Sequence, residues 1–286
     1  MKVEIICPLH NAMNYILDLH DSLLHQKNVA ISKISYALTE STDATEKILQ
    51  EHNIAYTPIK KDEFSHSLTR EKVALNSDSD ILVFITQDIK VADDNWLFNL
   101  ISPIMAGEAA ACYSRQISKY NNIEKYTREK NYPQNSFIVS KDDIARLGLK
   151  TFFFSDASSA IKTAVFKELN GYDGKDLPTN EDMYIAYKMI MAGYKIKYCA
   201  ESVVYHSHKF TLRQLYRRYY KFGQFMALNP QIYQLGATKA GGGLAKYILR
   251  RAICQFNLPV LIRFIPDMMA RYCGMKKGKR VVRANK

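Results

Sequence analysis

The chain is short of three things: cysteines at any repeated spacing, an apolar run long enough to cross a bilayer, and acidic residues near its end. Its five cysteines, Cys7, Cys112, Cys199, Cys254 and Cys273, are scattered. That argues against a zinc cluster and a disulfide framework and fits a reducing cytosol. The stretch Met1-Lys2-Val3-Glu4-Ile5-Ile6-Cys7-Pro8 carries an acid inside a short apolar segment. It lacks the long apolar core of a signal peptide and is expected to be a first strand. Residues 245 to 286 hold eleven Lys or Arg against one acid, Asp267, so a net ten of the formal charge of +12 sits there. Arg263 and Asp267 interrupt the apolar residues of this tail well before the roughly 20 that a spanning helix requires. The tail is expected either to lie on an anionic membrane surface or to form a helical appendage that packs on the rest or makes a homodimer.

With 47% apolar and 24% charged residues in a length of 286, the composition is that of a globular protein with a substantial core. No internal repeat or low-complexity tract is present. Strand and helix patterns alternate up to about residue 105, which predicts an α/β fold with a mostly parallel sheet flanked by helices. Ile5-Ile6-Cys7 is strand-like, and Met13, Ile16, Leu17, Leu23 and Leu24 follow at helical spacing. Ile34, Tyr36 and Leu38 alternate as a second strand, after which Asp43 and Glu46 have the spacing of a capping box. A short strand at Tyr56 to Ile59 precedes a helix near Ser65 to Asn76 that places His66 and Arg70 on one face. Asn95 to Ile104, with Trp96, is helical and Ala109 to Ser114 a strand. Residues 117 to 150 show no clear period and are expected to be a loop-rich insertion with one or two helices. Asn180 to Ala192, closed by Gly193, is a helix. Strand-like segments follow at Tyr194 to Tyr198 and Val203 to Tyr205, then a long helix from Thr211 to Leu228 with Arg213, Arg217, Arg218 and Lys221 among aromatics. Gly236 and Gly241-Gly242-Gly243 suggest a flexible joint, dividing a catalytic domain at 1–235 from a basic, helical region at 236–286.

The most informative segment is Asp80-Ile81-Leu82-Val83-Phe84-Ile85-Thr86-Gln87-Asp88, an apolar run that stops on a carboxylate. Strands buried on both faces read this way, and ligands gather beyond the carboxyl ends of parallel strands. A second apolar segment, Thr151-Phe152-Phe153-Phe154-Ser155-Asp156, also ends on an aspartate. Glu181-Asp182 opens a helix, and His206-Ser207-His208 follows a strand. Taken singly, each station has a plainer reading: a turn at Asp88, acids at a helix start, a core histidine at His206, a solvated face for His66 and Arg70. Together they suit transfer from an activated phosphate donor. A cation held by carboxylate and imidazole offsets a diphosphate's charge, and a second carboxylate removes a proton from the attacking hydroxyl.

In these motifs the chain resembles a family 2 glycosyltransferase of the GT-A fold, most closely its bacterial rhamnosyltransferase branch. Pro8-Leu9-His10-Asn11 is similar to the family's first-strand Pro-x-x-Asn, and Ser41-Thr42-Asp43-Ala44-Thr45 to its Ser-Thr-Asp-Gly-Thr. Phe64-Ser65-His66-Ser67-Leu68-Thr69-Arg70 resembles the branch's Phe-x-His-x-x-x-Arg. Thr86-Gln87-Asp88 resembles its version of Asp-x-Asp, Asn180-Glu181-Asp182 the base motif, and Tyr205-His206-Ser207-His208 the late histidine. The resemblance covers roughly residues 3 to 225.

This resemblance implies an inverting, metal-dependent transferase moving a sugar, L-rhamnose from a dTDP donor, onto a surface polysaccharide or lipid-linked glycan such as an O-antigen, cell-wall or capsule precursor. A UDP- or GDP-sugar donor and a nucleotidyltransferase are the alternatives. Asp182 would be the general base. Pro8, Thr39, Glu40, His66, Arg70, Gln87 and Asp88 would bind the donor, and Arg115, Gln116, Asp156 and Glu181 would line the acceptor side. Asp88 and His206, with His208 as a lesser candidate, would hold Mg2+ or Mn2+. Leu38 stands where many relatives place a base-reading aspartate, so Thr39, Glu40 or backbone groups would read the base. The implied location is the cytoplasmic face of the plasma membrane, peripherally. Nucleic-acid binding, suggested by the pI of about 9.3 and the Arg-Tyr-rich helix, leaves Asp88 and Asp182 unexplained and is not expected.

Overall fold

The computed structural model describes residues 1–234 and 237–284. The first half contains β1 (Val3–Leu9), α1 (Ile16–Leu24), β2 (Ile31–Thr39), α2 (Thr45–Glu51), β3 (Tyr56–Ile59), α3 (His66–Leu75), β4 (Ile81–Ile85), β5 (Lys90–Val91) and α4 (Trp96–Met105). Next come β6 (Ala111–Ile117), α5 (Ile123–Asn131), β7 (Phe137–Val139), α6 (Ile144–Leu147), β8 (Ser158–Lys162), α7 (Thr163–Glu168), α8 (Glu181–Met191) and β9 (Ile196–Tyr205). Four helices close the described chain: α9 (Leu212–Leu228), α10 (Pro230–Tyr233), α11 (Ala237–Cys254) and α12 (Leu258–Ala284).

The strands form one mixed sheet in the order β3-β2-β1-β4-β8-β6-β9-β5, with β7 also paired to β9. β3, β2, β1 and β4 are mutually parallel, β8 is antiparallel to both β4 and β6, and β9 runs parallel to β6. Two reversals restore direction, so the carboxyl ends of β1, β2, β4, β6 and β9 all open on one edge. β4 is wholly buried because both its faces are covered. Ile81, Val83 and Ile85 pack with α1 and α4, and Leu82 and Phe84 pack with α7 and α8. The single tryptophan fixes α4: the Trp96 Nε1–H donates to Ser114 Oγ at 3.2 Å and Ser158 Oγ at 3.1 Å, and its carbonyl accepts from Ser202 Oγ at 3.0 Å.

The helix around His66 and Arg70, capped by Ser65 accepting from Leu68 N, is where the spacing predicts it. Other expectations need correction. Asp43 and Glu46 form no capping box. Asp43 accepts from Thr45 N and Oγ1 and from Met13 N, while Glu46 accepts from Tyr56 OH. The strand after the insertion, which the sequence reading did not assign, is the small-residue run Ser158–Lys162 squeezed between β4 and β6, while Phe152 and Phe154 fill the core just before it. The two strand-like segments near residue 200 are one strand, β9, whose pairing with β6 shifts register between Ser114 and Arg115. Gly241-Gly242-Gly243 is helical, inside α11, and Gly236 lies outside the described residues.

The C-terminal helices pack on the rest. α12 crosses α9 so closely that a Cβ on Gly223, Gly274 or Gly278 would strike a main-chain oxygen, of Met275, Tyr216 or Tyr220 respectively. Gly274-x-x-x-Gly278 is thus the small-residue spacing that lets two helices touch backbone to backbone. α11 and the start of α12 rest on the insertion helix α5 through Ile123, Tyr126, Ile248, Ala252 and Val260.

Candidate active site

The common edge of strand ends is braced by hydrogen bonds from polar residues that the sequence motifs single out. Gln87 Nε2 donates to His10 O at 2.9 Å, and His10 N donates to Gln87 Oε1 at 2.7 Å. An aspartate could accept but not donate here, so the glutamine at the first position of the Thr-Gln-Asp motif ties the end of β4 to the loop after β1. It was expected to contact the donor; its carboxamide is committed to His10. Asn11, at a positive φ of 50°, accepts from Thr42 N at 2.8 Å, which ties the β1 and β2 loops together. Pro8 is in β1. Thr39 is buried at the end of β2, its Oγ1 without a partner among the described residues, and Glu40 is exposed beside it. Leu38 is buried.

Asp88 stands beyond β4 and His206 beyond β9, and the structure brings both together with His208. Asp88 Oδ1 lies 3.5 Å from His206 Nε2, and Oδ2 lies 3.5 Å from His208 Nδ1. One ligand atom from each of the three lies within 4.8 Å of the others. Gln116 Oε1 lies 2.9 Å from His206 Nδ1, and Gln116 Nε2 donates to Ser155 Oγ at 2.8 Å. With its amide nitrogen spent on Ser155, Gln116 presents an acceptor for an Nδ1–H, the neutral tautomer in which Nε2 keeps a lone pair for a cation.

Burial lowers the pKa of His206 in spite of the Asp88 carboxylate beside it. Burial and His206 together lower His208 to about 4. Burial raises the Asp88 carboxyl, but the hydrogen bond and charge that His206 supplies when protonated, with the charge of protonated His208, outweigh it and lower the group. A carboxylate facing two neutral imidazoles offers lone pairs to a common point, the donor set of a divalent cation site. Lys119, which sequence reasoning missed, donates from Nζ to Asp88 O at 3.1 Å, and its own N donates to Ser207 Oγ at 2.8 Å.

The second station is the start of α8. Asn180 has a left-handed backbone, φ 61°, that turns the chain into the helix, and Asp182 Oδ1 accepts from Met183 N at 2.7 Å. Burial, then the charges of Glu181 and Asp156, raise the Asp182 carboxyl well above its ordinary range, against the pull of the Met183 N–H and Arg70. Asp182 lines a cavity of about 200 Å³ with Arg128, Phe153, Ser155, Arg218 and Arg271. Ser155 therefore links the two stations, touching this cavity and holding the glutamine that orients His206.

Arg70 and Glu181 are paired with each other. Arg70 is 2% exposed; its Nη1 donates to Glu181 Oε1 at 3.2 Å and to His66 O at 3.0 Å. The guanidinium is a buried counter-charge for the acids behind Asp182. His66 itself is exposed, edge-on to Phe64 at 5.0 Å. The protein around its ring, with the charges of Arg70, Lys221 and Arg218, lowers it to about 4. Asp156 is buried and accepts from Ser159 Oγ at 2.7 Å and Tyr172 OH at 3.0 Å. Burial raises it to about 6, with Arg70 opposing and Glu181 assisting. Arg115 lines, with Gln116, Lys119, Arg128, Tyr247 and Arg251, a wider cavity of about 670 Å³ between the insertion and α11. Arg128, Arg218 and Arg271 were not singled out by spacing. They come from the period-free insertion, the aromatic-rich α9 and the tail, and only the fold brings them to Asp182.

A model of glycosyl transferase family 2 matches residues 4–169, more than half of the chain. The chain belongs to that family. Among similar proteins, this family 2 glycosyltransferase is 35% identical over 287 residues to O-antigen chain rhamnosyltransferase RfbN of Salmonella typhimurium, covering 98% of this chain and 90% of that one. It is 37% identical over 248 residues to O-antigen chain rhamnosyltransferase WbaN of Salmonella anatum, covering 84% and 78%. The rhamnosyltransferase resemblance of the motifs is thereby borne out. In fold it is similar to mannosyltransferase PcManGT from Pyrobaculum calidifontis in complex with GDP-Man and Mn2+, with TM-score 0.65 and 14% identity over 99% of this chain and 87% of that one. It is likewise similar to S. aureus TarS 1–349 in complex with UDP-GlcNAc, with TM-score 0.59 and 15% identity over 100% and 91%. The α/β architecture is the expected GT-A fold, and the protein is a glycosyltransferase.

Proposed function

We propose that this glycosyltransferase transfers L-rhamnose from dTDP-rhamnose to a growing O-antigen or related lipid-linked glycan, with inversion at the anomeric carbon. The two Salmonella relatives, similar over most of their own length, support the sugar and the acceptor class. For the chemistry, the observation that carries the reading is the placement of two carboxyls: Asp88 with ligand atoms of His206 and His208 within 4.8 Å, and Asp182 partly buried at a cavity.

Asp182 takes the proton of the acceptor hydroxyl, a role that its raised affinity for protons suits. The acceptor oxygen forms its bond to the anomeric carbon as the bond to the donor diphosphate breaks on the opposite face, and the nucleoside diphosphate leaves with the electron pair. Asp88, His206 and His208 would hold a divalent cation, Mg2+ or Mn2+, which when bound offsets the negative charge of the diphosphate. Arg128, Arg218 and Arg271 add fixed positive charge around the cavity. Pro8, Thr39, Glu40 and His66 lie on the donor side, where the base is read without a carboxylate at Leu38. Glu181 and Asp156 act from behind Asp182, raising its proton affinity, and Arg70 balances them. Among the described residues no helix is long and apolar enough to cross a membrane, and peripheral attachment at the cytoplasmic face is part of this reading.

A panel of nucleotide-sugars tests the donor, followed by release of nucleoside diphosphate with and without an O-antigen-type acceptor. The expected result is that dTDP-rhamnose is turned over fastest and only in the presence of a divalent cation. Preference for a UDP- or GDP-sugar would overturn the donor assignment, and release of pyrophosphate the transferase chemistry proposed.

A further inference from the structure

α12 is built inside out. At 100° per residue, Val260, Arg263, Asp267, Arg271, Gly274 and Gly278 fall on one side of the helix. That side faces the protein: Val260 enters the small core over α5, Arg263 Nη2 donates to Phe210 O at 2.9 Å, and Arg271 Nη1 donates to Tyr219 OH at 2.5 Å. Asp267, the tail's acid, is buried and accepts from Arg263 Nε at 2.7 Å. The opposite side carries Leu258, Ile262, Ile265, Met269 and Tyr272, and these apolar residues are between 58% and 77% exposed. The same stripe then continues as Lys276, Arg280 and Arg283, all exposed. A surface helix of a water-soluble protein has the reverse polarity, apolar in and charged out.

The turn before α12 repeats the pattern. Asn257 is buried and donates to Asn121 Oδ1 and Tyr126 OH, both at 3.0 Å, which anchors the turn to the insertion. Phe256 beside it is held at a positive φ of 50°, a conformation unfavourable for a bulky side chain, and stands 86% exposed. Leu249 and Ile253 on α11 are exposed next to Lys246 and Arg250. From residue 242 to 284 every exposed charge is positive.

We propose that this face, the α11–α12 turn and the outer stripe of α12, docks on an anionic bilayer with its apolar residues in the interface and its cations on the headgroups. The charge pattern selects this occupant. Anionic headgroups complement both halves of the stripe, whereas a second copy docking through the same face brings to these cations no exposed acid. The inner side of α12 meanwhile places Arg271 at the cavity of Asp182, so docking would hold that cavity about one helix diameter, roughly 10 Å, from the bilayer that carries a lipid-linked acceptor. This last point rests on the acceptor proposed above; the docking itself does not.

The full chain is sedimented with vesicles of phosphatidylcholine alone and of phosphatidylcholine with an equal part of phosphatidylglycerol. Pelleting is expected with the anionic vesicles only and should fall as salt rises. Two multiple variants should each weaken it by roughly tenfold or more: Ile262→Ser with Ile265→Ser and Met269→Ser, and Lys276→Glu with Arg280→Glu and Arg283→Glu. All six side chains point outward, so the melting temperature should hold, as should transfer to a water-soluble acceptor. No pelleting with anionic vesicles, or pelleting undiminished in both variants, overturns the proposal. So does a dimer in sedimentation velocity that the serine variant dissociates, which would give the stripe to a second copy. Because vesicle binding is read without turnover, its failure is distinct from failure of the transferase assignment.

Discussion

Asp88 leaves the end of an interior strand with two imidazoles in front of it, whereas Asp182 opens a helix with two further carboxyls behind it. Both are partly buried in the same edge of one sheet, and burial alone would raise both. Neighbours decide the sign: His206 and His208, when protonated, bring Asp88 down, and Glu181 and Asp156 take Asp182 further up. The two also affect stability in opposite directions. A carboxyl whose folded pKa is depressed contributes stability that is present above its unfolded pKa and lost as pH falls through the folded one. One whose folded pKa is raised binds more protons when folded, so its contribution is present below the unfolded pKa and lost as pH rises through the folded one. Asp88 is therefore a charge the fold supports. Asp182 is one that the fold tolerates at a cost, as chemistry at a site requires.

The largest effect should come from removing the basic member. Asp182→Asn keeps the shape but cannot accept a proton from a hydroxyl, so turnover should fall by about 10²–10⁴-fold. Donor affinity by calorimetry should be unchanged. Near-normal turnover in this variant would remove Asp182 from the base role and end the comparison. Asp88→Asn should break the other member and give the complementary result. Donor binding in the presence of Mg2+ or Mn2+ should weaken by about 100-fold, at the upper end of what even a supporting residue costs a metal site. Donor affinity that survives both this change and excess chelator would exclude Asp88 as a ligand. Gln116→Leu is the intermediate case. It frees His206 to rotate or change tautomer without touching either carboxyl, and metal affinity should drop by about 10–100-fold. A loss confined to turnover, with metal affinity intact, would place Gln116 on the acceptor side instead.

How much of this was legible beforehand differs between the two stations. The strand ending at Asp88 was written in an uninterrupted apolar run, and the helix of Asp182 in an apolar period closed by Gly193, so both carboxyls could be placed at element ends. What could not be read was the company they keep. The 117 to 150 insertion has no period, yet it delivers Lys119 and Arg128. The ion pair of Arg70 was not legible because spacing shows which face a residue takes but not what covers that face; Glu181, 111 positions later, does. The tie of Gln87 was not legible because its partner is a backbone group, that of His10, whose position depends on the whole sheet. The packing of the tail rests on Gly274 and Gly278, whose spacing has no evident partner until α9 is set against them.

The smallest expected effect is also the one that examines the cause of the contrast. If Asp182 is basic because carboxyls crowd it, neutralising one of them should make it less so. Glu181→Gln retains an oxygen that can accept from Arg70 Nη1 while removing a negative charge, the second largest contributor to the raised affinity after burial itself. A base must be deprotonated to act, so kcat/KM should rise with pH through the Asp182 pKa, and in the parent that rise should lie above the ordinary carboxylate range of about 4. In Glu181→Gln the rise should move toward lower pH, with a plateau rate closer to the parent's than that of any variant above. Donor affinity should not change, since Asp88 and its imidazoles are untouched. A pH profile that stays in place would leave burial as the dominant cause and reduce Glu181 to a structural partner of Arg70. A profile that moves upward would mean that Arg70, once freed of its counter-charge, no longer sits where it can attract Asp182.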